Sequence, residues 1–129
     1  MTEPPSEPLL HLAEAPLWEA ARRTGTYEMS TRGRTLHEEG FIHLSLPHQL
    51  PGVARMLYGD GNGEGAGGQG LVVLVVAPSR LTDPVRYEAM KPGGEEFPHL
   101  YGPLPVSAVV EVRPLDDWFH DRREEDEPQ

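Results

Sequence analysis

The sequence predicts an α+β fold with two or three short helices, and three features of its pattern support this. The run "LVVLVVAP" at residues 71–78 is aliphatic on both alternating faces, which is typical of a strand buried at the centre of a sheet. Helical periodicity is confined to segments 16–24 and 50–57. The strand candidates of the C-terminal half follow one another without regular crossover helices, which argues against a doubly wound nucleotide-binding fold.

The first strand candidate is "LLHLAEA" at residues 9–15. Successive side chains of a strand point to opposite faces. Leu10 and Leu12 therefore share one face, and Leu9, His11 and Ala13 share the other.

A helix is predicted at residues 16–24. Pro16 suits a first helical turn and Gly25 suits a C-terminal cap. The polar stretch at residues 26–39 that follows has no clear periodicity. We expect it to form a loop over the functional site.

Residues 41–46 are predicted to form a strand with two unlike faces. One face is aliphatic and the other joins an aromatic ring to an imidazole and a hydroxyl. The aliphatic set is Ile42, Leu44 and Leu46, and the opposite set is Phe41, His43 and Ser45. A helix is predicted next, beginning near Pro51, with an apolar stripe formed by Leu50, Val53, Ala54 and Leu57.

The C-terminal half is predicted to contain strands at 84–90 and 107–115, separated by a proline- and glycine-rich loop at 91–105. In the first of these strands, Arg86 and Glu88 share a face that is opposite to Tyr87.

Length and composition predict one compact domain at residues 9–117, with a disordered segment at 1–8 and an acidic tail at 118–129. The glycine-rich stretch at 59–70 is predicted to be a flexible loop. It lacks the Gly-Lys-Ser/Thr ending of a phosphate-binding loop and precedes a strand instead of following one.

The net charge of −10 makes nucleic acid an unlikely partner, because such binders present basic surfaces. No apolar run is long enough to span a membrane, the N-terminal segment does not resemble a signal peptide, and cysteine is absent. A cytoplasmic location is the simplest interpretation. The sequence indicates no particular protein partner.

Three groups of residues are candidates for chemistry: His11, the pair His43 and Ser45, and the pair His99 and Tyr101. Imidazoles titrate near neutral pH and can donate or accept hydrogen bonds. The alternative for each histidine is a structural hydrogen bond within the core. A zinc site formed by His11, His43 and His99 is a further alternative, although the sequence lacks the short His spacings that usually anchor one, and no metal is predicted.

The motifs "GFIH-x-S" and "FPH-x-YGPL", with "HLAEAPLWEAARRTGTY" before them, resemble the bacterial and plant family catalogued as domain of unknown function 952, over about residues 9–115. That resemblance implies an ADP-ribosyltransferase-like fold, which is a split antiparallel β structure with few helices.

The same resemblance implies roles for individual residues and NAD as the cofactor. By analogy, His11 holds the ribose on the nicotinamide side, and His43 with Ser45 lies beside it. His99 and Tyr101 complete the cleft. Glu88 is the best candidate for the family's glutamate, with Glu95 and Glu96 as rivals.

The leading hypothesis is therefore an NAD-linked enzyme of the ADP-ribosyl-transfer type, or one with RNA 2′-phosphotransferase-like chemistry. Its expected catalytic residues are His43, Glu88 and His99, and its expected cofactor-binding residues are His11, His43, Ser45 and Tyr101. One alternative is a non-catalytic module that binds NAD, ADP-ribose or another nucleotide. A second alternative is a histidine-based, metal-dependent hydrolase.

Overall fold

The structure is a computed structural model that describes residues 8–31, 34–58, 70–89 and 91–118. The segments predicted as a disordered N-terminus, a glycine-rich loop and an acidic tail therefore lie almost wholly outside the described residues. The strands are β1 (Leu9–Glu14), β2 (Thr26–Tyr27), β3 (Met29–Thr31), β4 (Arg34–Thr35), β5 (Ile42–His43), β6 (Leu71–Val76), β7 (Val85–Ala89), β8 (Glu96–Leu100), β9 (Leu104–Pro105) and β10 (Val109–Pro114), and the helices are α1 (Ala15–Thr24), α2 (Leu36–Glu39) and α3 (Leu50–Tyr58).

The aliphatic run predicted as a central strand is β6, which lies in the middle of an antiparallel sheet of order β1-β6-β10. Its pairing with β1 runs from Leu9 opposite Val76 to Glu14 opposite Leu71. A strand with neighbours on both edges and packed residues on both faces needs apolar side chains at every position. The prediction for this segment is confirmed.

A second antiparallel sheet has the order β5-β8-β7. It meets the first sheet where Leu10 and Ser45 exchange two backbone hydrogen bonds, each 2.8 Å long. The strands therefore follow one another in space as β10-β6-β1-β5-β8-β7, with a single bridge at the junction. The predicted α+β class, with antiparallel sheets and few short helices, is confirmed.

Each face of this combined sheet carries its own core. The first core, on the α1 side, packs Leu9, Ile42, Leu44, Leu74 and Leu100 with Trp18 and Ala21 of α1. The second core, on the α3 side, packs Leu10, Leu12, Val73 and Val75 with Leu50 and Val53 of α3 and with Leu115 and Trp118. Each fully buried aliphatic side chain contributes about 2 kcal/mol to folding. Packing on both faces therefore stabilises the sheet.

Helix α1 begins and ends as its sequence predicts. Pro16 lies in its first turn, and Gly25 ends it in the left-handed conformation, with φ of 99°. The Gly25 N–H donates to the Ala21 carbonyl at 2.8 Å. Among the described residues, no helix combines the length and apolar content needed to cross a membrane.

The stretch predicted as a loop at residues 26–39 instead contains β2, β3, β4 and α2. These strands are only two or three residues long, and they are stabilised by pairing: β2 pairs with β9, and β3 pairs with β4. Helix α2 starts at a capping box, in which Thr35 and Glu38 satisfy each other's backbone N–H groups.

Three further boundaries differ from the prediction, and the first is the strand predicted at 41–46, of which only Ile42–His43 forms β5. Strand β8 occupies the middle of the stretch predicted as a loop at 91–105. Trp118, which was assigned to the acidic tail, is buried in the second core. An apolar ring of this size is stabilised by packing, and the folded part therefore includes residue 118.

Candidate functional site

Three adjacent strands place polar side chains in a row across one sheet face. His43 on β5 lies opposite His99 on β8, and Arg86 on β7 lies opposite His99 from the other side. Directly opposed residues of antiparallel strands share a face. Glu88 lies two residues after Arg86 on β7, and Tyr101 lies two residues after His99, just beyond the end of β8. Both therefore point to the same face as His99. Strand pairing, together with the alternation of side chains, thus brings residues from three segments of the chain to one surface.

Glu88 accepts two hydrogen bonds at a single carboxylate oxygen. The Tyr101 hydroxyl donates to Oε1 at 2.5 Å, and the His99 Nδ1–H donates to the same atom at 2.9 Å. Oε2 forms no hydrogen bond with the described residues, and the Glu88 side chain is 39% exposed. In this group, called here the Glu88 cluster (Glu88, His99 and Tyr101), one carboxylate oxygen is anchored and the other is available to a ligand.

These hydrogen bonds determine the charge states of Glu88 and Tyr101. The bond from Tyr101, followed by the bond from His99, lowers the pKa of Glu88 below its ordinary value. The same bond to Glu88 raises the pKa of Tyr101. At neutral pH Glu88 is therefore an ionised carboxylate and Tyr101 is a neutral hydroxyl that donates to it.

Phe41 fixes the plane of the His99 imidazole. The two rings stack with centroids 4.0 Å apart and an interplanar angle of 11°. Phe41 also contacts the Tyr101 ring, at a centroid distance of 5.5 Å. Because His99 is held between this ring and its strand neighbours, its Nδ1–H stays directed at Glu88.

His43 lies beside His99, with ring centroids 5.4 Å apart, and also contacts Phe97. Its imidazole is 8% exposed and that of His99 is 2% exposed. The Nε2 atoms of both rings are buried and have no hydrogen-bond partner among the described residues. Burial, followed by the proximity of His99 and His11, lowers the pKa of His43 to about 4, so its ring is neutral at physiological pH.

His11 lies on the other face of the combined sheet, among the residues of the first core. Its Nδ1–H donates to the His43 carbonyl at 2.8 Å, and its Nε2 accepts from the Tyr27 hydroxyl at 3.1 Å. Burial lowers the pKa of His11 to about 4. Both ring nitrogens are thus occupied by the protein, which departs from the expectation that His11 contacts a ribose.

The register of the Leu10–Ser45 bridge explains this separation. Leu10 and Ser45 share the α3 side, so His11 points to the α1 side while His43 does not. Ser45 is 2% exposed, and its backbone joins the two sheets. The trio of His11, His43 and His99 does not converge. Within the described ranges, no group of three His, Cys, Asp or Glu side chains could hold a metal ion.

The two rival glutamates are placed away from the Glu88 cluster. Gln49 donates through Nε2 to Glu95 Oε2 at 3.0 Å and to the Glu96 carbonyl at 2.8 Å. It also accepts from the Leu46 N–H at 3.0 Å. Gln49 therefore ties the start of β8 to the segment before α3, and Glu88 is the glutamate that contacts His99 and Tyr101.

Two residues of the site were not among the predicted functional residues. Phe41 stacks on His99, and the Arg86 guanidinium lies 5.4 Å from the centre of the Tyr101 ring. The alternation in each strand was a usable signal, because it placed Phe41 on the face of His43 and Arg86 on the face of Glu88. Their contacts depend on strand pairing, which the sequence pattern does not specify.

Residues 12–112 match the family described as "Protein of unknown function (DUF952)". The chain belongs to this DUF952 family. It is also similar to protein CC0527 from Caulobacter crescentus, whose crystal structure has a TM-score of 0.63 and 33% identity, covering 81% of this chain and 82% of that chain. The solution NMR structure of CC0527 has a TM-score of 0.62 and 33% identity, with 84% of each chain covered. None of the curated proteins matches the chain.

Within the DUF952 match, the segments "GFIH-x-S" and "FPH-x-YGPL" are neighbours in space. The first contains β5 and the second contains most of β8, and they pair with Ile42 opposite Leu100 and His43 opposite His99. The match over residues 12–112 confirms the family resemblance that the sequence predicted. The family's description gives no activity, so a function has to be argued from the site itself.

Proposed function

We propose that this DUF952 protein is an enzyme of the ADP-ribosyl-transfer type, which binds NAD or a related nucleotide at the Glu88 cluster. The observation that carries the proposal is the anchored carboxylate, with Oε1 held by Tyr101 and His99 and with Oε2 available. Breaking the nicotinamide–ribose bond develops positive charge on the ribose, as in glycoside hydrolysis. An ionised, fixed carboxylate stabilises such charge where it develops.

The proposed step is a substitution at the ribose carbon. The bond between this carbon and the nicotinamide nitrogen breaks, and its electron pair leaves with nicotinamide, which becomes neutral. A lone pair of water or of an acceptor hydroxyl forms the new bond, and the acceptor's proton passes to Glu88 Oε2 and then to solvent. Because its pKa is lowered, Glu88 acts chiefly as the charge stabiliser.

Neighbouring side chains supply the binding groups of this proposal. His43 is neutral and is the proposed contact for a ribose hydroxyl through Nδ1, because its Nε2 is buried. Arg86 is exposed beside Tyr101 and carries a guanidinium, a group that recognises phosphate well. A local cation matters here, because the net charge of −10 otherwise repels an anionic nucleotide. Tyr101 completes the proposed cofactor-binding set, and Ser45, which is 2% exposed, supports the segment that carries His43.

We extend the proposal to an ADP-ribosyltransferase-like fold and to the cellular compartment. The longer strands are divided between two antiparallel sheets, β1-β6-β10 and β5-β8-β7. This division supports the ADP-ribosyltransferase-like fold that the sequence resembles. Because NAD is an intracellular metabolite, we also propose a cytoplasmic location. His11 contributes by holding the His43 carbonyl and is not expected to contact the nucleotide.

The direct test is release of nicotinamide from NAD, followed by chromatography, with water, a protein mixture or a 2′-phosphorylated ribonucleotide as acceptor. Glu88→Gln should lower the rate by about 100-fold, and His43→Ala should abolish product formation. Glu111→Gln, on β10 and outside the cluster, is the matched control and should leave the rate unchanged. Absence of product from the wild type with every acceptor would reject the catalytic proposal.

A non-catalytic nucleotide-binding module is the second candidate, and the burial of the histidines favours it. The imidazoles of His43 and His99 are 8% and 2% exposed, which suits fixed hydrogen-bonding groups better than groups that meet a reacting atom. This candidate predicts a saturable increase in melting temperature with NAD or ADP-ribose and no release of nicotinamide. A ligand at about 100 times its Kd should add roughly 2.7 kcal/mol of stability.

A further inference from the structure

A cavity of about 460 Å³ opens on the face of β7 opposite to the Glu88 cluster. Val85 and Tyr87 line it, whereas Arg86 and Glu88 alternate to the other face. Its remaining apolar walls come from β1, from the segment after β5 and from the stretch before β7. These walls are Leu9, Leu46, Pro78 and Leu81. The cavity and the Glu88 cluster are separated by the thickness of the sheet, so each can be altered alone.

Asp83 is the charged side chain that lines this cavity. It forms no hydrogen bond or ion pair with the residues that the structure describes. It lies directly against the backbone of Gly102, where a Cβ would overlap the carboxylate. The close approach limits where the carboxylate can move. A partly buried carboxylate with no cationic partner among the described residues creates a local negative potential next to apolar walls.

Tyr87 stands at the edge of the cavity with a large exposed surface. Its side chain is 49% exposed, which is high for an aromatic ring that lines a cavity. Aromatic faces attract cations and also pack against apolar groups. The walls therefore offer an apolar surface, a ring face and a fixed negative charge.

From this combination we infer that the cavity binds a small organic cation, namely a protonated amine on an apolar body. The ammonium group lies at Asp83, and the apolar body lies against the leucine walls and the Tyr87 ring. An anion is disfavoured by Asp83 and by the net charge of −10. The volume is within the range of sites that accept small molecules. This ligand is distinct from the nucleotide proposed for the opposite face.

Three probes of similar shape and different charge test the inference on the wild-type protein. They are 2-phenylethylamine, 2-phenylethanol and 3-phenylpropionate, each titrated at pH 7 while backbone amide NMR shifts are recorded. The amine should give saturable shifts confined to residues around 81–87 and to Leu46. It should bind at least tenfold more tightly than the alcohol, and the carboxylate should not bind.

Asp83→Asn should weaken amine binding by tenfold or more and leave alcohol binding unchanged, whereas Glu111→Gln should change neither. Equal binding of amine and alcohol to the wild type would overturn the inference without any variant. Amine shifts confined to the face of Glu88, or absent altogether, would overturn it as well. Neither outcome bears on nicotinamide release, so the two proposals fail independently.

Discussion

His99 and Glu88 occupy diagonal positions on neighbouring strands, and a 2.9 Å hydrogen bond joins their side chains. His99 pairs in register with Arg86, while Glu88 pairs with Phe97. Diagonal neighbours are about 7–8 Å apart at Cα, so only long side chains meet there. A slip of one residue between β7 and β8 would turn Glu88 to the opposite face. The register of this strand pair and the chemistry of the site are therefore coupled.

Removing the Tyr101 hydroxyl should raise the pKa of Glu88. The hydrogen bond from Tyr101 is the largest cause of the lowered pKa, and Tyr101→Phe removes it while keeping the ring. The pKa is measured by carboxyl NMR titration. Tyr87→Phe, on the same hairpin but facing the other side, is the control and should leave the Glu88 titration where it is. An unchanged pKa in Tyr101→Phe would show that the bond does not form in solution.

Stability should fall as pH is lowered from about 6.5 towards 4. His11 and His43 have pKa values of about 4 in the folded protein and ordinary values of 6.5 when unfolded. Between these values the unfolded chain binds more protons, so acid favours unfolding. The loss is about 3 kcal/mol for each histidine once pH 4 is reached.

Urea unfolding at pH 7.5, 6 and 5 measures this dependence. The lowered pKa of Glu88 contributes only below its ordinary value of 4.5, so this pH range isolates the histidines. A free energy of unfolding that stays constant from pH 7.5 to 5 would contradict the buried, neutral state of both rings.

Tyr27→Phe should destabilise the fold by about 1–3 kcal/mol, because it leaves the buried Nε2 of His11 without its donor. The free energy of unfolding in urea is the measurement. Tyr87→Phe serves again as the control, since that ring is half exposed, and it should change stability by less than about 0.5 kcal/mol. Equal effects of the two variants would mean that the His11–Tyr27 bond contributes nothing.

Two glycines should respond to alanine with opposite signs. At Gly102 a Cβ would overlap Asp83, so Gly102→Ala should cost about 1 kcal/mol or more and displace that carboxylate. At Gly52, inside α3, a Cβ would meet none of the described residues within 4 Å. Gly52→Ala should stabilise by about 0.5–1 kcal/mol, because alanine favours the helix. Thermal unfolding measures both, and a shared sign would contradict the close approach at Gly102.

The local features of this protein follow directly from its amino-acid sequence. Alternation in residues 41–46 put His43 and Ser45 on one face, and alternation in 84–90 did the same for Arg86 and Glu88. The aliphatic run of β6 indicated its central place, and Pro16 with Gly25 marked the ends of α1. These features depend on backbone geometry over a few residues, which the side-chain pattern encodes directly.

Which of these faces meet depends on the pairing of strands in the folded protein. The pairing of β5 with β8 brings His43 to His99, and the β7–β8 register brings Glu88 within reach of both His99 and Tyr101. The register of the Leu10–Ser45 bridge places His11 on the α1 side, opposite to His43. Strands as short as β2 and β4 have no periodicity of their own to detect. These arrangements depend on hydrogen bonds between separate segments, which are distant in the chain for β5 with β8 and for β2 with β9, and local side-chain patterns do not specify which segments pair.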